Sequence, residues 1–98
     1  MSFEHVIETS LAAALSDDHA LVAELRAAFQ ASAGRHVAAL REASTLEDWR
    51  DAALRLKGLA ASFGASELMI AAGRAAAGRC GERSMLAAIE AAVAALDA

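Results

Sequence analysis

The chain has 98 residues, too few for two compact domains of roughly 100 residues each. Ala supplies 29 of those residues and Pro and Tyr are absent, a composition that excludes an all-β fold and favours an all-α one. Nine basic residues against thirteen acidic ones give a net charge of −4, with no basic run to serve as a nucleic-acid footprint.

In chain order, a first short helix is expected over about 3–15, with Ser2 as cap and Phe3, Val6, Ile7, Leu11 and Leu15 apolar. Ser16-Asp17-Asp18 breaks it and starts the next, because their side chains accept from free helix N–H groups. The second helix carries Leu21, Val22, Leu25, Phe29, Ala33, Val37 and Leu40 at spacings of three and four, and ends near Ala43. Gly34 lies inside it, where it can bend or loosen the helix.

Ser44-Thr45-Leu46-Glu47 reads as a capping box, with Ser44 as cap and Glu47 reaching back. In the helix that follows, Leu46, Trp49, Ala53, Leu56, Ala60 and Phe63 form one seam. Gly64 stops it. Ser66 can cap a fourth helix with Leu68, Ala72, Ala75 and Ala76 inward. Gly78 and Gly81 punctuate a turn, and a fifth helix over 82–96 aligns Met85, Ile89, Val93 and Leu96. The connections are short, so the last four helices are expected to form an antiparallel up-down-up-down four-helix bundle. The short N-terminal helix would cover one end, and residues 1–98 would be one domain.

The third helix also has an outer face, comprising Glu47, Arg50, Asp51, Leu54, Lys57, Gly58 and Ala61. Leu54 is a large apolar residue among charges. Lys57 is the only lysine in the chain. Gly58 is mid-helix, where glycine costs about 1 kcal/mol relative to alanine. A glycine one turn after a surface residue clears space beside it, and a lysine on that side supplies a mobile charge for an anion. The plainer account is close helix packing for Gly58 and solvation for Lys57.

The segment from Leu54 to Leu68 resembles the motif of histidine phosphotransfer (HPt) domains. That pattern is His-x-Leu-Lys-Gly, a few small residues, an apolar residue, Gly-Ala, and Leu three residues later. Leu56, Lys57, Gly58, Phe63, Gly64, Ala65 and Leu68 match it in register. The order of a short helix, a long helix and a turn before the motif helix is similar over nearly the whole chain. The resemblance implies an HPt-like bundle in a bacterial-type two-component phosphorelay. It also implies a response-regulator receiver domain as partner.

The family's phosphorylated histidine falls at position 54, which is Leu54 here. Leucine has no lone pair to take a phosphoryl group, so no enzymatic relay through this position is expected. The resemblance leaves Leu54 as an apolar knob, Lys57 as the lysine near the phosphoryl group, and Gly58 as the residue admitting the receiver's loops. The expected receiver-docking set is Arg50, Asp51, Leu54, Arg55, Lys57, Gly58 and Ala61.

His5, His19 and His36 are the remaining histidines, and none stands three residues before a Lys-Gly. His36 is the best of them as an alternative carrier, since in this family the second helix neighbours the motif helix. A third reading is a structural bundle that self-associates weakly through Leu54 and its Ala-rich faces. Trp49 belongs to the seam, Ser62 has no base placed with it, and Glu47, Asp48 and Asp51 suit the helix dipole.

The single Cys80 has no nearby Cys or His, which points away from a disulfide, a metal site or a catalytic thiol. No cofactor is implied. No apolar run approaches the roughly 18 residues of a membrane span. The start Met1-Ser2-Phe3-Glu4-His5 lacks the character of a signal peptide, so a cytoplasmic location is expected.

Overall fold

A computed structural model describes residues 19–96 of the chain. Four helices occupy them: α1 (His19–Glu42), α2 (Leu46–Ser62), α3 (Ser66–Ala77) and α4 (Arg83–Ala95). No strand occurs among the described residues. The helix expected over 3–15, its covering role, and the break at Ser16-Asp17-Asp18 lie outside the described residues.

Each helix packs on the next, and α1 also packs on α4, so the four surround one core as in a helix bundle. The largest fully buried side chains are Trp49, Phe29, Leu40, Leu56, Leu68 and Ile89. Between them sit Ala33, Ala52, Ala53, Ala60, Ala72 and Ala75, all buried. Alanine at these contacts lets helix backbones approach closely, and it explains how an Ala-rich chain still closes a core. On the surface Arg41 of α1 pairs with Glu90 of α4 at 2.8 Å.

The α1 stripe closes in its later part: Phe29, Ala33, Val37 and Leu40 are buried, whereas Leu21, Val22 and Leu25 are half-buried, and the helix continues unbroken through Gly34. The α2 seam also closes, with one exception: Leu46 is 44% exposed. It is the first residue of the helix, outside the buried part of the seam. The start of α2 also differs. Its cap is Thr45, not Ser44, and the Thr45 side chain accepts from the Asp48 N–H at 3.1 Å. Position three of the helix is therefore Asp48, and Glu47 is one residue too early to close a capping box.

The α2–α3 turn is built on Gly64 at φ 68°. The Ala65 N–H donates to the Ala60 carbonyl at 2.9 Å and the Gly64 N–H to Ala61 at 3.2 Å. This is the paired closure of a Schellman motif, whose left-handed position suits glycine. Ala60 and Ala65 are both buried, supplying the apolar contact that accompanies such a turn. Phe63, at the helix end, meets Phe29 of α1 edge-on with centroids 5.0 Å apart.

Ser66 does not cap α3. It is the first helical residue, and Ala65 before it offers no side-chain bond. Helix α4 likewise starts without a side-chain cap, after Gly81 at φ 76°. Ile89 and Leu96 are buried, and Met85 and Val93 pack against the core as the spacing indicates.

Candidate functional site

The inner side of α2 fixes how its outer side is presented. Trp49 is fully buried, and its indole N–H donates to the Ala75 carbonyl at 2.8 Å. Arg50, the next residue, is exposed but sends its Nε–H to the Ala76 carbonyl at 3.2 Å. Both carbonyls belong to the last turn of α3, where Ala75 also accepts from the Gly78 N–H of the C-cap at 3.0 Å. The α2 start thus ties down the α3 end, and the Arg50 charge lies at its favourable pole.

With the seam inward, Arg50, Asp51, Leu54, Arg55, Lys57, Gly58 and Ala61 are all exposed. The structure therefore brings the expected set to one face, but its members differ in freedom. Arg50 is anchored on α3. Asp51 and Arg55 are paired with each other at 2.9 Å, one turn apart and both largely in solvent. Such an exposed pair contributes little to stability.

Leu54 is 50% exposed. One turn on, a Cβ placed on Gly58 would meet nothing within 4 Å. Close packing against the described helices is thus no explanation for Gly58. A methyl group would fit there, and α2 would be the more stable for it. The Gly58 carbonyl accepts from the Ser62 hydroxyl at 3.0 Å, which gives Ser62 a backbone role. Gly34 is equally open, so open space alone does not mark a site.

Lys57 leans across to α3. Its Cδ and Cε lie 3.8 Å from where a Cβ of Gly73 would be, and its Nζ lies 4.0 Å away. The lysine stem thus rests on the bare backbone of a second glycine while its charge stays exposed. No hydrogen bond or ion pair engages Lys57 among the described residues. Gly73 carried no signal in the sequence. Only the neighbouring helix shows what it accommodates.

His36 stands on the other flank, in a shallow polar recess where α1 meets α2. Arg35, Asp48, Asp51 and Arg55 line the same recess. Its pKa is lowered, first by burial, then by the Arg35 and Arg55 charges, with Asp51 opposing them. The imidazole is half-buried and favours its neutral form. His19 is the exposed first residue of α1, and His5 lies outside the described residues.

Cys80 is half-buried, with Sγ 3.5 Å from the Ala43 carbonyl. Among the described residues no three His, Cys, Asp or Glu side chains gather as a metal site. None of the described helices is long and apolar enough to cross a membrane. No family model, no curated protein and no solved structure matches the chain.

Proposed function

We propose that this chain is an HPt-like signalling module that docks on response-regulator receiver domains without carrying phosphate. Its docking surface is the outer face of α2, centred on Leu54 and flanked by Arg50, Asp51, Arg55, Lys57, Gly58 and Ala61. The finer architecture belongs to this reading: an antiparallel up-down-up-down bundle with the segment 3–15 covering one end, working in the cytoplasm.

The observation that carries it is the arrangement at positions 54–58. An apolar side chain stands half in water, beside a mid-helix glycine that packing among the described residues does not require, with a lysine one turn along that makes no hydrogen bond or ion pair among them. A partner that lays a loop along α2 gains from each part. Burying a leucine fully is worth roughly 1.5–3 kcal/mol. Gly58 lets the partner's backbone come near, and Lys57 offers a charge to an aspartyl or phosphoryl group.

The test is a binding screen against the receiver domains of the source organism, each with and without beryllium fluoride as phosphate mimic. Leu54→Arg is the control, with its helicity checked by circular dichroism. A receiver that binds the wild type and loses about tenfold or more in affinity for the variant is the expected result. Binding to no receiver, or equal binding by both proteins, would overturn the proposal. A phosphohistidine formed on the wild-type chain would instead favour a carrier role for another histidine.

A further inference from the structure

We infer that the groove between α3 and α4, whose lining includes no residue of α2, is covered by α3 of a second copy of this chain in a two-fold pairing. Ile70, which lines it, is 51% exposed, a large apolar side chain that the described helices leave uncovered. Glu67 and Arg74 share this groove, and Ala71, Ala88 and Ala92 give it a low floor. Glu67 and Arg74 are seven residues apart, two turns along one side of α3. Neither has an ion-pair or hydrogen-bond partner among the described residues. From Ser84 to Ala95 the only charged residue is Glu90, and Arg41 holds it.

The charge order singles out the occupant. A two-fold axis crossing α3 between residues 70 and 71 sets Glu67 opposite Arg74 of the second copy, and Arg74 opposite its Glu67. The same axis sets Ile70 against Ala71 of the second copy, a knob on a small residue. Glu67, Ile70 and Arg74, the groove groups left unmatched in one chain, then each meet a complement, as a self-complementary interface requires. The small floor residues allow the second helix to approach. The surface is small, so the dimer is weak and concentration-dependent.

Sedimentation equilibrium of the full chain at low salt, from about 10 µM to about 1 mM, tests this. The mass should rise from one chain to two. Glu67→Arg and Arg74→Glu should each weaken association about tenfold or more, since each sets like charges face to face twice. The double variant should recover it, Ile70→Asp should abolish it, and Leu54→Arg should leave it unchanged. Circular dichroism checks that each variant is folded. A single-chain mass throughout, a dimer indifferent to the charge reversals, or a double variant that fails to recover would each overturn the inference.

Discussion

The two faces of α2 are made from one run of seventeen residues, yet they obey different rules. The inner face carries Trp49, Ala53, Leu56 and Ala60, all fully buried, and the bundle accounts for each of them. The outer face carries Leu54, Lys57 and Gly58, and among the described residues the bundle accounts only for the Lys57 stem, which rests on the Gly73 backbone. Leucine there is exposed where a polar residue would serve, and glycine stands where alanine would fit. Gly58 costs helix stability and meets no neighbour among the described residues, which the proposed docking partner would explain. The contrast also separates stability from binding, because a substitution on one face should leave the other property nearly untouched.

The largest expected effect is on the inner face. Trp49→Ala should cost about 3–5 kcal/mol of stability, as a cavity at the α2–α3 contact. It also leaves the Ala75 carbonyl without its indole donor. Urea unfolding followed by circular dichroism would show it. A loss under about 1 kcal/mol would mean that the core is not centred there.

The next effect separates the faces by sign. Gly58→Ala should raise stability by about 1 kcal/mol, because the new methyl group enters open space and the helix gains. Affinity for a receiver should fall in the same protein, since the methyl group narrows the approach to the backbone. Titration and urea unfolding of one preparation read both. Gly34→Ala is the internal control, stabilising in the same way and leaving binding unchanged.

The smallest effect is on pH dependence. The folded state holds the His36 pKa below its ordinary value, so the unfolded chain takes up that proton more readily. Stability from this group is complete above about pH 6.5 and declines as pH falls through the window below it. His36→Gln should flatten this part of the profile. Urea midpoints at several pH values would show whether the two curves converge above neutrality and separate below it.

The seam of α2 was legible in the sequence because Trp49, Ala53, Leu56 and Ala60 recur at three and four residues, and that phase fixes which residues face outward. The exposure of Leu54, Lys57 and Gly58 followed from the same phase. The start of the helix was not legible. Ser44 and Thr45 are adjacent hydroxyl residues, each with an acidic residue three places on, and local chemistry does not choose between them. Leu46 was misplaced for a related reason, since a periodic pattern does not show where its buried part begins. The roles of Arg50 and Gly73 were hidden because each depends on another helix: the Ala76 carbonyl for one and the Lys57 stem for the other. Ile70 escaped notice in a short Ala-rich helix, where small residues on every side blur the boundary between inside and outside.

In the proposed docking mode Leu54 stands where a phosphoacceptor would project into a receiver. The most direct measurement is phosphotransfer to Leu54→His from a phosphorylated receiver that binds the wild type. In that step the phosphorus–oxygen bond of the aspartyl phosphate breaks and a phosphorus–nitrogen bond forms at the imidazole, freeing the carboxylate. An acid-labile label on the variant and none on the wild type is the expected result. A variant that stays unlabelled while still binding the receiver would contradict it.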